Sequence, residues 1–195
     1  MGSRNSRGHA RILRQVPCLW VFGVIVTLPG EACVPHGPVI LSAYRSEVGA
    51  NQRPRRGVHA GVDFAGAMGD PILASADGEV LHLTVDPVGC GLGILLAHWD
   101  FHLFTVYCHL ESWTVSEGQL VRRGEAIGRL GRSGNSGGVP HVHLELCTHR
   151  CRRGHRDGFL LGSEDPMARM AGCFRKGRSY PTDRLVLTYP VRCSD

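Results

Sequence analysis

Three short stretches place metal-ligating and proton-carrying side chains at chemically useful spacings. They are His59-Ala-Gly-Val-Asp63, His109 at the end of Phe104-Thr-Val-Tyr-Cys-His109, and His141-Val-His143-Leu-Glu145. Residues two apart in a strand point to one face, so His141 and His143 would project side by side. Two imidazoles and a carboxylate form a three-ligand set for catalytic zinc, with water in the fourth position. Such an ion makes its water acidic enough to attack a carbonyl at neutral pH. Histidines beyond the ligand set would then carry protons or donate to a developing oxyanion. Each stretch alone is a weak signal, because H-x-x-x-D recurs on surfaces and a solvated strand face can carry two histidines. Glu145 shares the face of His143 and reads either as a group orienting a ligand or as a surface carboxylate.

The elements that must position these groups are strands. Glycine punctuates short β-type runs at Gly61–Ala65, Pro71–Ala74, Gly78–Val85, Gly93–His98, Leu103–His109 and Val139–Leu146. Ile94–His98 and Leu103–His109 flank a short polar-aromatic turn, as in a hairpin. Nothing between residues 57 and 145 carries an apolar stripe long enough for a substantial helix. The fold class expected is mainly β: antiparallel sheets in a sandwich or barrel-like hybrid with a groove and few short helices. Leu185, Leu187 and Tyr189 suggest one more strand near the end.

Taken in order, five segments resemble the lysostaphin and LytM-type zinc endopeptidases, which cut peptide cross-bridges in bacterial cell walls. They are Gly57-Val-His-Ala-Gly-Val-Asp-Phe64, Pro71-Ile-Leu-Ala-Ser-Ala-Asp-Gly-Glu-Val80, Tyr107-Cys-His-Leu110, Val121-Arg-Arg-Gly-Glu-Ala-Ile-Gly128 and Ser133-Gly-Asn-Ser-Gly-Gly-Val-Pro-His-Val-His-Leu-Glu145. The resemblance implies His59, Asp63 and His143 as ligands of one zinc ion, and His109 and His141 as catalytic. It further implies a peptidoglycan endopeptidase acting by metal-activated water. All five residues are present, whereas some relatives have lost ligands and act only as regulators of other wall hydrolases. Two departures stand out: Gly138-Val139-Pro140 adds spacing before His141, and Cys108 replaces a usual small residue.

The ends of the chain speak to location. Arg4, Arg7, Arg11 and Arg14 precede the apolar run Val16–Leu28, and Ala32 stands just before Cys33, the pattern of an export signal over residues 1–32. Gly30-Glu31-Ala32-Cys33 resembles a bacterial lipobox, which would make Cys33 a lipid anchor. Residues 33–56 read as an N-terminal arm, 57–146 as the peptidase core, and 147–195 as a cysteine-containing extension packed on the core. The expected location is the periplasm or cell envelope. Of eight cysteines, Cys18 leaves with the signal. If Cys33 is lipidated, six remain for disulfides, which allow fifteen pairings. Cys90 with Cys108 across the hairpin is one of these.

Composition removes other classes. The 195 residues carry a formal charge of +5, but from residue 33 onward 18 basic side chains face 16 acidic ones, leaving +2. A nucleic-acid partner therefore loses its main support. Gly134-Asn-Ser-Gly-Gly138 looks like a serine-protease nucleophile loop, yet Asn stands for Asp and no Ala-His-Cys precedes it. Val121–Gly128 looks like a biotinyl carrier motif, but the single lysine, Lys176, is far away. Cys147, Cys151 and His155 offer a structural zinc site, against which a disulfide framework competes. Arg132 and the basic loop Arg150–Arg156 read either as contacts for substrate carboxylates or as solvated charge. The expected partner is a peptidoglycan peptide met by a monomer. The rival is a non-catalytic wall-binding or amidase-activating module on the same fold.

Overall fold

Alternating apolar residues bounded by glycine turns build a continuous antiparallel ladder. The computed structural model describes residues 20–21, 24–25, 37–55, 57–148 and 162–193. The export signal's basic start and cleavage region, Cys18, Cys33 and the basic loop lie outside these residues. Two units are distinguished, residues 1–36 with Asp195, and 37–194. In the first, β1 (Trp20–Val21) pairs with β2 (Val24–Ile25).

In the second unit the early strands are β3 (Ile40–Ser42), β4 (Val62–Ala65), β5 (Pro71–Leu73) and β6 (Gly78–Asp86). They are followed by β7 (Gly91–His98), β8 (Leu103–Trp113), β9 (Leu120–Val121), β10 (Ala126–Leu130), β11 (His141–Thr148) and β12 (Ser163–Glu164). The hydrogen-bonded order is β3-β4-β11-β8-β7-β6-β9, with β10 joining β5 to β8 and β12 beside β11. This path has two ends, so the described strands form an open, mainly antiparallel sheet and not a closed barrel. Among the described residues, helical structure is confined to two 3-10 turns, Trp99–Phe101 between β7 and β8, and Pro166–Arg169. The second is capped by Asp165, whose side chain accepts from the Met167 N–H at 2.9 Å. The expected hairpin is present as β7–β8, pairing His98 with Leu103.

Phe64, Ile94, Leu96, Leu110, Ile127, Leu130 and Leu144 are fully buried in one cluster. Tyr107 lies among them. Its hydroxyl accepts from the Ser75 N–H at 2.8 Å, which satisfies a polar tip inside the core. A second cluster joins Leu103 and Leu146 to Leu185 and Leu187. The expected strand at Leu185–Tyr189 does not form. The alternation marks which side chains go inward, but the backbone there bonds in turn to Arg169, Ser75 and Gly172. The described residues give it only an isolated parallel bridge, Met170 with Leu187. Part of the N-terminal arm, in contrast, supplies β3, which extends the sheet beside β4.

Two disulfides are fully described, Cys90–Cys108 and Cys173–Cys193. Cys147 is disulfide-bonded as well, so it is not free to serve as a thiolate ligand of a structural zinc site.

Strand β11 carries His141 and His143, and β8 beside it carries His109. Up to Cys108, β8 pairs with β11, and from Leu110 it pairs with β10. His109 is the residue at the exchange. Against β7, two steps from Leu92 to Ile94 oppose three from Leu110 to Tyr107, a bulge with one extra residue on β8.

Candidate metal centre and active site

Asp63 on β4 and His143 on β11 are directly paired across antiparallel strands, which brings their side chains together on one face. His59 reaches the same point from the turn before β4. That turn passes so close to β11 that a Cβ at Gly61 would collide with the Leu144 carbonyl and the His143 ring. The glycine of His-Ala-Gly-Val-Asp is therefore a requirement of close approach.

Three donor atoms converge. His59 Nε2 lies 2.9 Å from Asp63 Oδ1, His143 Nδ1 lies 3.0 Å from the same oxygen, and the two nitrogens are 2.8 Å apart. Ligands about 2.0–2.1 Å from a tetrahedral zinc would stand about 3.3 Å from one another, close to this spacing. The chemistry of the donor set agrees. His59 holds its other nitrogen, Nδ1, against the Ala43 carbonyl at 3.0 Å and the Ser42 Oγ at 3.0 Å. The Ser42 hydroxyl itself donates to Val48 at 2.6 Å, so the His59 proton belongs on Nδ1 and Nε2 is bare. A bare nitrogen and a second imidazole nitrogen meeting at a buried carboxylate suit a cation between them.

Asp63 and His143 hold each other charged. Burial opposes the charge on Asp63, yet the two imidazoles beside it, His143 first and His59 second, outweigh it and hold the carboxyl well below its ordinary range. Burial likewise opposes a charge on His143, but the carboxylates of Asp63, hydrogen-bonded at 3.0 Å, and of Glu145 raise it to about 9. Glu145 Oε2 stands 3.8 Å from His143 Nε2, on the side away from the donor cluster. This is where a carboxylate would orient a ligating imidazole.

Two more imidazoles complete the site. His141 Nδ1 faces the Val139 carbonyl at 2.8 Å, leaving Nε2 at 3.6 Å from Asp63 Oδ1. His109 Nδ1 faces the Ser133 carbonyl at 2.9 Å. The His109 and His141 rings are 4.7 Å apart between centroids. Burial, followed by the neighbouring His143 and His141, pushes His109 down to about 3. His109 also has φ of 67°, a left-handed backbone that a non-glycine residue rarely adopts. Its N–H donates to the Cys90 carbonyl at 2.8 Å. The Cys90–Cys108 disulfide joins that acceptor to the residue just before His109.

Residues 57–154, half of the chain, match the sequence model of Peptidase family M23. The chain belongs to this family. An "uncharacterized metalloprotease" of Haemophilus influenzae is 41% identical to the M23 chain over 88 residues, 45% of this chain and 18% of its own length. Peptidoglycan DD-endopeptidase ShyA of Vibrio cholerae is 40% identical over 90 residues, 45% of this chain and 20% of that protein. Lysostaphin from Staphylococcus simulans superposes with a TM-score of 0.53 at 27% identity, covering 67% of this chain and 48% of that one. The M23 chain thus spans about a fifth of the length of the curated relatives it matches.

Several supporting groups in this M23 domain carry no chemical signal in the sequence. Ser42, Ala43, Val139 and Ser133 act through hydroxyl or carbonyl oxygens that any local motif could offer. Arg55, half-buried, adds positive charge near Asp63, and its Nη1 is buried with no partner among the described residues. Arg132 is exposed. The glycine-rich stretch after it does not present a nucleophile: Ser133 Oγ donates to Leu110 at 2.6 Å, and Ser136 Oγ donates to Arg132 at 2.8 Å.

Proposed function

We propose that this M23 protein is a zinc-dependent metalloendopeptidase that hydrolyses peptide cross-links of bacterial peptidoglycan. The observation that carries the reading is the meeting of His59 Nε2, Asp63 Oδ1 and His143 Nδ1 within 2.8–3.0 Å beside two further imidazoles. His59, Asp63 and His143 would hold the zinc. Bound there, zinc supplies a Lewis acid and an acidified water.

The chain's own groups do the rest. Asp63 balances the cation, and Glu145 fixes the orientation of His143 from its far side. His109 and His141 keep their Nδ1 protons on backbone carbonyls and present bare Nε2 atoms. One of the pair takes a proton as water attacks the peptide carbonyl, and an imidazole so charged can return it to the leaving amine. Burial keeps His109 neutral at ordinary pH, so its Nε2 carries a lone pair. Export to the periplasm or envelope, anchoring at Cys33 and a monomeric state belong to the same proposal. Disulfides among the described residues support an oxidising compartment.

Incubation of purified protein with isolated peptidoglycan tests the reading. Release of new amino groups is expected, lost on chelation and recovered with zinc. A zinc-loaded protein that binds peptidoglycan without cutting it would instead mark a non-catalytic module.

A further inference from the structure

A second cleft, of about 720 Å³, opens where His98 ends β7 and Gly78 begins β6. Along β7, His98 lies seven residues from Gly91, roughly 20 Å of strand, and Gly91 is the end beside Cys90 and His109. The cleft is therefore separate from the histidine cluster.

Its lining is basic and aromatic. Arg122, Arg123, Arg175, Arg178 and Arg184 line it, against the carboxylates of Asp77, Glu79 and Asp100. Two of those carboxylates are already engaged. Asp77 accepts from the Arg123 N–H at 2.7 Å and Glu79 accepts from the Trp99 indole N–H at 2.7 Å. Arg122, Arg175, Arg178 and Arg184 are exposed. Arg123 is fixed by donating to the Ser75 carbonyl at 2.6 Å, and its guanidinium lies over the Tyr180 ring at 4.1 Å. Arg178 lies over the same ring at 5.4 Å. The Tyr180 hydroxyl is buried, with no hydrogen-bond partner among the described residues. A buried hydroxyl without a partner costs free energy unless a ligand or water completes it. Trp99 and Phe174 are partly exposed, and the Cys173–Cys193 disulfide anchors the segment carrying Phe174 to Arg178.

We propose that this cleft is a second binding site, one that takes a carboxylate-bearing strand of peptidoglycan while the histidine centre works elsewhere on the polymer. Guanidinium groups pair with carboxylates in a fixed fork. The exposed aromatic side chains of Trp99 and Phe174 suit the apolar faces of sugars. The choice of peptidoglycan as ligand rests on the proposed hydrolase function; the cationic character of the site, and so its preference for a carboxylate, does not.

The test is sedimentation of zinc-loaded protein with insoluble peptidoglycan, either intact or stripped of phosphate-bearing polymers. It is run beside hydrolysis of a soluble cross-linked peptide dimer. In Arg175→Glu/Arg178→Glu, retention on stripped peptidoglycan is expected to fall about tenfold at low salt, with the difference closing at high salt. Turnover of the soluble dimer and Tm stay unchanged. Equal retention of the double variant and the parent overturns the proposal. So does parent retention that disappears on stripping, which would assign the cleft to a phosphate polymer. Failure of the parent to cut any dimer, with retention still sensitive to Arg175 and Arg178, would refute the hydrolase reading and leave the carboxylate site standing.

Discussion

At the residue scale, each histidine of the centre has one nitrogen occupied by the fold and one left for chemistry. His59 spends Nδ1 on Ala43, His141 on Val139 and His109 on Ser133. His143 is reversed: Nδ1 meets Asp63, and Nε2 faces Glu145. This division separates the effects of substitution. His143→Ala should remove zinc and abolish peptidoglycan hydrolysis together, read by metal content of the dialysed protein and amine release. His109→Ala should keep its zinc and lower kcat by about 10²- to 10⁴-fold, the range of a positioned proton carrier. Glu145→Gln should retain the fold and weaken zinc affinity by about 10- to 100-fold, as loss of an orienting carboxylate does. Competition with a chelating dye measures it.

At the scale of elements, β8 is the device that aims His109. The strand changes partner from β11 to β10 at this residue, and a left-handed backbone turns the imidazole toward His141. The Cys90–Cys108 disulfide spans 18 residues around the same bulge. Cys90→Ser/Cys108→Ser should cost about 3 kcal/mol by the chain-entropy account, read as a lower Tm. On the proposed role of His109 as a proton carrier, it should also lower kcat more than it raises KM. Glycine has an equally local role: Gly61→Ala would push β4 from β11 and separate Asp63 from His143.

For the molecule as a whole, stability is tied to pH away from the site. His98 is buried, with Nδ1 at 2.6 Å from the Asp77 carbonyl and Nε2 at 2.9 Å from Thr105 Oγ1. Burial is the main cause that lowers its pKa, aided by Arg123. The unfolded chain therefore takes up a proton near pH 6.5, about the ordinary value, while the folded chain resists it. The resulting stability is complete above that pH and is lost as pH falls through the lower folded value. Tm of the parent should fall more steeply on acidification than that of His98→Gln.

The residue types and spacings of the chain contained the candidate site before any geometry. His59, Asp63, His109, His141 and His143 are legible because ligands and proton carriers must be particular side chains, and because strand period two places His141 with His143. The β class was legible for a similar reason, since glycine-bounded apolar runs leave no room for helical stripes. Tertiary structure decided what depends on atoms common to every residue: the carbonyls that set the imidazole tautomers and the strand exchange that turns His109 inward. It decided too that Leu185 and Leu187 are buried without forming a strand, since burial follows side-chain pattern while ladder pairing follows the availability of a neighbouring edge. The arginine cleft is assembled from segments some eighty residues apart, Trp99 and Arg178 among them. No local pattern announces it, because its chemistry exists only when the chain has folded.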